Sequence, residues 1–237
     1  MIELHKIKAI SLDLDDTLWP IWPVIERAEK VLLAWLQQYA AQTAVLFSST
    51  AALREIREYV ATELVKTQPH IQHDLSAIRR ESIRLALTRA GNNPALAEPA
   101  FDVFFAERNK VELYGDALPA LKAMAARYPL VALSNGNASV DTVGLRPYFK
   151  AALSASVFGV GKPDARIFYA AADAAGVQAH EVLHIGDDAS LDVLGGIGAG
   201  MQTVWLNREE KLYPHDKKPT VEVGSLTEVC EMLGLLA

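Results

Sequence analysis

The stretch IKAISLDLDDTL, residues 7–18, decides how the rest of the chain is read. Residues 7–12 are apolar and rich in β-branched side chains, and they stop abruptly at acids, as a buried strand stops at a loop. Asp13, Asp15 and Asp16 then fall within four positions. Open parallel sheets bind ligands in the crevice at the carboxyl ends of their strands, so a loop placed here delivers carboxylates into that crevice. Clustered carboxylates repel one another and resist burial when unpaired. A hard divalent cation such as Mg²⁺ resolves the conflict. Taken alone, the same residues also read as a turn with a helix cap at Asp16.

Outward from this stretch the pattern changes twice. Over residues 20–112 the apolar positions follow helical spacing: Val24, Ile25, Ala28, Val31, Leu32, Trp35 and Leu36 share one face. Leu53, Ile56, Val60 and Leu64 mark a second helix, Asp74 heads a third that runs to Ala90, and Phe101, Phe104, Phe105 and Val111 mark a fourth after Pro94. Beyond Gly115 helix and strand alternate, with a helix over 116–127 and strands over 130–133, 181–185 and 202–206. Such alternation predicts an α/β chain with a parallel sheet, interrupted after its first strand by a helical insertion. The charged stretch 208–218 reads as a solvated loop, and Ser225 with Glu228 reads as a capping box opening a last helix.

Composition narrows the function. The 237 residues carry 23 Lys and Arg against 29 Asp and Glu, a formal net charge of -6. This acidic balance argues against a nucleic-acid surface and favours a small-molecule partner. A single cysteine, Cys230, excludes a disulfide framework and a paired-thiolate zinc site, and it fits a reducing, cytoplasmic setting. No apolar run approaches the roughly 20 residues that span a bilayer, and the first residues lack the apolar core of an export signal.

Three further segments belong at the same sheet edge as the acidic loop. Ser134-Asn135 follows the strand over 130–133, Lys162-Pro163 precedes a helix, and Gly186-Asp187-Asp188 with Asp192 follows the strand over 181–185. Together they supply the parts of phosphoryl transfer: a hydroxyl and an ammonium for the phosphate oxygens, and carboxylates for the metal. Singly, each has a plainer reading: Ser134 as a turn residue, Lys162 as surface, Asp188 as a helix cap.

With these four segments in view, the chain resembles the haloacid dehalogenase superfamily of aspartate-nucleophile hydrolases. DLDDTL at residues 13–18, LSNGN around Ser134, GKPD around Lys162 and HIGDDASLD at 184–192 match the family's four motifs. The resemblance implies a Rossmann-like core from residues 1–19 and 113–237, with residues 20–112 as a helical cap. It implies that Asp13 attacks phosphorus to form an aspartyl phosphate and that Asp15 is acid and base. Asp13, the main-chain carbonyl of Asp15 and Asp187 would hold Mg²⁺, with Asp188 or Asp192 behind them. Ser134 and Lys162 would bind the phosphoryl group, helped by Asn135 and Thr17. LSNGN, GKPD and HIGDDASLDV are more narrowly similar to a YigB-like branch associated with flavin mononucleotide and ribityl phosphate hydrolysis.

Asp15 separates the reactions open to such a site. Halide leaves without a proton, whereas an alkoxide benefits from an acid, so an acid at position 15 favours a phosphatase over a 2-haloacid dehalogenase. A phosphomutase, and a non-catalytic regulator that responds to phosphate, remain rival readings. Trp19, Trp22 and Trp35 offer stacking surface and Arg79, Arg80 and Arg84 offer charge. Helical packing and a solvated face explain them as well. His184 reads as a packed strand residue, and Gly195, Gly196, Gly198 and Gly200 as close packing rather than a dinucleotide fingerprint.

Overall fold

In the computed structural model, which describes residues 2–236 apart from the side chains of Leu64 and His70, the first apolar run forms strand β1 (Ala9–Leu12) with all four residues buried. The chain divides into two compact units, one of residues up to Pro20 together with those from Glu112 onward, the other of Ile21–Val111.

The second unit is all helix: α1 (Ile21–Tyr39), α2 (Ala41–Leu46), α3 (Thr50–Tyr59), the short α4 (Val65–Thr67), α5 (Leu75–Arg89) and α6 (Ala97–Arg108). Ala28, Leu32 and Leu36 of α1 meet Ile83 and Leu87 of α5 and Phe101 and Phe104 of α6 in one buried cluster, as the helical spacing requires. The Asp74 carboxylate accepts from the Ala77 amide and so caps α5. The helix expected over Leu53 to Leu64 instead passes into a π-helical turn at Val60–Leu64, and the Leu64 side chain lies outside the described residues. Glu29, wholly buried on α1, is paired with Arg54, Arg57 and Arg79. Arg79 also stacks 4.1 Å from the centroid of Phe104, and Arg80 and Arg84 are paired with Glu98. These arginines are thereby engaged within the helical unit.

The first unit continues with α7 (Ala117–Ala125), β2 (Leu130–Ser134), β3 (Ala151–Ser154), α8 (Ala155–Phe158), α9 (Ala165–Ala175), β4 (Val182–Gly186), α10 (Gly195–Gly198), β5 (Gln202–Leu206), β6 (Val221–Val223) and α11 (Leu226–Met232). The six strands are parallel and ordered β3-β2-β1-β4-β5-β6, a Rossmann-like α/β arrangement. Its direction of winding reverses at β1, and a crevice opens where the β1 and β4 loops part to opposite sides. Ile167, Phe168, Ala171 and Ala172 of α9 cover Ala9, Val131, Leu133 and Val182 on one face of the sheet. Register places Leu12 opposite Ile185, and the Asp13 amide continues the ladder onto the Ile185 carbonyl at 3.0 Å. Asp13 and Gly186-Asp187 therefore leave the sheet side by side. No helix among the described residues is long and apolar enough to cross a membrane.

Candidate active site

The acidic loop is a tight reversal held by its own residues. Leu14 and Leu18 are buried anchors, and Asp16 sits at φ 57°, a left-handed conformation that a short polar side chain tolerates. The Asp16 amide donates to the Trp19 carbonyl at 2.8 Å, closing the turn. From outside, the Arg208 guanidinium donates to the Thr17 carbonyl at 3.1 Å while both its Nη atoms engage Asp116. Arg208, expected in a solvated loop, is thus a clamp on the first loop.

Within the reversal, Asp15 and Trp19 are joined twice, by a backbone bridge and by a 2.8 Å bond from the indole N–H to Asp15 Oδ1. Trp19 is 0% exposed, so it offers no stacking surface to a ligand. The other Asp15 oxygen faces the β2 loop. A Cβ on Gly136 would lie 2.3 Å from Asp15 Oδ2, which only glycine avoids. Ser134, buried at the end of β2, accepts from the Gly136 amide at 2.9 Å and so shares this edge.

Lys162 arrives from the segment before α9. Asn135 braces it by exchanging two 2.8 Å bonds with its main chain, Asn135 Nδ2 to the Lys162 carbonyl and the Lys162 amide to Asn135 Oδ1. The Asn135 amide thus braces the segment that carries the lysine. The Lys162 ammonium is buried and lies 2.5 Å from both Asp13 Oδ1 and Asp192 Oδ1.

The segment after β4 supplies the other acids. Asp188 is exposed and caps the following turn, accepting from the Ser190 and Leu191 amides at 2.7 and 2.8 Å. Both bonds go to one of its oxygens, Oδ1, in the manner of a helix cap. Asp192 is buried, and its Oδ2 accepts from the Asp188 amide at 3.0 Å. Gly186 allows this approach, since a Cβ there would fall 2.2 Å from Asp192 Cγ. Thr17, wholly buried, donates across 3.3 Å to Asp187 Oδ1 and so helps orient that carboxylate.

Asp13, Asp187 and Asp192 thus present carboxylate oxygens within 4.8 Å of one another, opposed by one ammonium. The electrostatics divide them. Burial, reinforced by the charges of Asp192 and Asp187, raises the Asp13 carboxyl well above its ordinary range despite Lys162. Burial and the charges of Asp192 and Asp16 push Asp187 up to about 7. Asp192 is also buried, yet the Lys162 ammonium and the His184 hydrogen bond hold it down at about 2. Lys162 itself is lifted by its two carboxylates against the cost of burial. Ionising Asp13 and Asp187 therefore costs free energy in the absence of a cation, and their hard oxygen donors suit a divalent one such as Mg²⁺. Asp192 already accepts on both oxygens and serves as the anchor of Lys162.

All four segments named in the sequence thus meet at one edge. The sequence offered Trp19 only as stacking surface and His184 only as a packed strand residue, and gave Gly136 no role of its own. Trp19 had a signal: an N–H donor four residues after an acid, inside a loop that reverses on itself.

Comparison with known proteins agrees with this geometry. A family model for haloacid dehalogenase-like hydrolases matches residues 7–200. The 5-amino-6-(5-phospho-D-ribitylamino)uracil phosphatase YigB of Escherichia coli is 33% identical over 97% of this chain and 98% of its own length. A solved 2-haloacid dehalogenase from Pseudomonas syringae pv. Tomato DC3000 is 36% identical, with a TM-score of 0.87 over 98% of this chain and 100% of that one. A solved HAD phosphatase from Thermococcus onnurineus, 21% identical, shares the fold with a TM-score of 0.68 over 96% of this chain and 98% of that one. With its sheet order, its four converging segments and these relatives, the chain belongs to the haloacid dehalogenase-like hydrolase family.

Proposed function

We propose that this protein is a Mg²⁺-dependent phosphatase that hydrolyses a small phosphomonoester through an aspartyl phosphate on Asp13. The observation that carries the reading is the pairing of Asp13, held on one oxygen by Lys162, with a second carboxyl, Asp15, fixed by Trp19 two residues away. Nucleophile and acid occupy one loop yet sit in different environments, as two roles for two carboxyls require.

In this mechanism a carboxylate oxygen of Asp13 forms a bond to phosphorus as the ester P–O bond breaks. Asp15 gives its proton to the departing alkoxide. Ser134 and Lys162 donate to the phosphoryl oxygens, where charge develops. Asp15, now ionised, takes a proton from water as that water attacks phosphorus; the bond to Asp13 breaks and inorganic phosphate is released. Asp13, the Asp15 carbonyl and Asp187 would hold Mg²⁺, which would supply positive charge to offset repulsion between the carboxylate and the phosphate oxygens.

Supporting the substrate class, the E. coli relative is named for a ribityl phosphate, so flavin mononucleotide and ribitylamino phosphates are the first substrates to try. The test is phosphate release from these and from p-nitrophenyl phosphate, with and without Mg²⁺. Turnover that requires Mg²⁺ and disappears in Asp13→Asn is expected, and full activity in that variant refutes the mechanism. The name of the P. syringae relative favours a second reading, a 2-haloacid dehalogenase. Chloride release from 2-chloropropionate, without phosphate release, would decide for it.

A further inference from the structure

The proposed mechanism has no use for His184, yet this residue is the hub of a buried chain of hydrogen bonds that ends on the nucleophile. Ser11 and His184 stand opposite one another in β1 and β4, and Asp13 follows Ser11 on the same side of the strand. Ser11 Oγ lies 2.8 Å from His184 Nδ1, and His184 Nε2 lies 3.0 Å from Asp192 Oδ1. That same Asp192 oxygen and Asp13 Oδ1 are the two acceptors of the Lys162 ammonium. Ser11, His184, Asp192, Lys162 and Asp13 are all buried, His184 completely.

The direction of each bond follows from the chemistry of the groups. Ionised Asp192 can only accept, so Nε2 carries the proton that points at it. Burial keeps His184 below its ordinary pKa, so the ring is neutral. Nδ1 is then an acceptor, and the Ser11 hydroxyl donates to it, selecting the tautomer that serves Asp192. The edge-on contact with Phe168, at 5.0 Å between centroids, holds the plane of the ring.

We propose that His184, set by Ser11, is a positioning residue: through Asp192 it fixes the Lys162 ammonium against Asp13 and the phosphoryl group. This inference rests on the phosphatase reading above. Without the His184 N–H, Oδ1 of the buried Asp192 carboxylate loses one of its two donors and its orientation rests on Lys162 and the Asp188 amide alone among the hydrogen bonds described. The ammonium bonded to the same oxygen moves with it. Asp13 and Asp187, the residues assigned to the metal, are not touched by the imidazole.

The experiment uses the whole protein with Mg²⁺, and reads kcat and KM on p-nitrophenyl phosphate together with calorimetric affinities for inorganic phosphate and for Mg²⁺. For His184→Leu, kcat is expected to fall about 10- to 100-fold, the range found when groups behind a site are removed. Inorganic phosphate should bind about tenfold more weakly, with Mg²⁺ affinity changed by less than about twofold. His184→Gln, which restores an N–H donor, should recover most of both losses. Ser11→Ala should lower kcat and phosphate affinity in the same direction, and it carries the test if His184→Leu does not fold. A folded His184→Leu with unchanged kcat and phosphate affinity overturns the proposal. So does a Gln variant no better than Leu, or, where Leu does not fold, an unchanged Ser11→Ala. A wild-type protein that releases no phosphate from any ester overturns the phosphatase reading, and this inference with it.

Discussion

Replacing Trp19 with Phe deletes one N–H donor from Asp15 Oδ1 and keeps an aromatic ring in a fully buried site. The acid step should suffer most. When Asp15 gives up its proton, the indole bond changes from one to a neutral group, worth about 0.5–1.5 kcal/mol, to one with a carboxylate, worth about 1.5–3 kcal/mol. The gain of about 1–1.5 kcal/mol on ionisation favours departure of the alkoxide, and its loss corresponds to roughly five- to tenfold in rate. Loss of the orienting contact adds to this, because the indole bond on Oδ1 helps fix the direction of Oδ2 beside Gly136. The effect must depend on the leaving group. An alkyl phosphate, whose alkoxide needs the proton, should lose about 10- to 100-fold in kcat, whereas p-nitrophenyl phosphate, whose phenolate leaves readily, should lose no more than about threefold. The assay is steady-state phosphate release from both esters by wild type and variant, with thermal melts to establish that the variant folds. Equal losses on the two esters would mean that Trp19 only packs, and the role given to its N–H would be wrong.

Other outcomes follow from the same geometry. Asp13→Asn should abolish turnover, by about 10³-fold or more in steady-state phosphate release. In the metal-free protein Asp187 binds its proton up to about pH 7, against 3.8 when unfolded. The native state holds more protons than the unfolded one in that window, so this group makes stability fall as pH rises from about 4 to 7. Mg²⁺ competes with that proton, so its stabilisation in thermal melts should be larger at pH 8 than at pH 6, and a pH-independent shift would contradict the assignment. Asp188→Ala should cost about 0.5–2 kcal/mol in denaturant unfolding through loss of the cap, with Mg²⁺ affinity unchanged; a tenfold weaker metal would return Asp188 to the metal's surroundings.

How far the sequence could be read depended on how strong each local signal was. β1 announced itself because an apolar β-branched run ended at acids, α1 and α6 because their apolar positions recur at helical spacing, and α5 because Asp74 stands as its cap. β3 gave no such signal: Ala151–Ser154 is an edge strand with one large apolar residue, Leu153, and none of its residues is fully buried. β6 is three residues long and lies beyond a charged loop, and α2 follows α1 across Ala40 alone, with no Gly or Pro to mark the break. At the site, the identities of the acids and of Lys162 were legible, whereas their partners were not. Thr17, Asn135 and Asp188 are polar residues beside a phosphate site, and spacing alone does not tell whether a hydroxyl or amide serves a ligand or braces the loop. That distinction depends on contacts between segments far apart in the chain, such as Asn135 with Lys162 and Thr17 with Asp187.

The same reasoning explains why three neighbouring aspartates need not share one role. Asp13, Asp187 and Asp192 lie within 4.8 Å of each other, so mutual repulsion alone would raise all three. What separates them is the supply of donors. Asp192 receives Lys162, His184 and the Asp188 amide and remains ionised to about pH 2, and its negative charge then bears on the other two. Asp13 shares Lys162 with it, and Asp187 receives the Thr17 hydroxyl at 3.3 Å and a backbone hydrogen bond, neither of them from a cation. A cation entering the crevice gains most from the two carboxylates that the protein has left under-compensated. The anchor thus does more than hold the lysine: by keeping its charge it makes the neighbouring pair a stronger attractor for metal. Asp192→Asn should therefore weaken Mg²⁺ binding even though no metal contact is assigned to that residue.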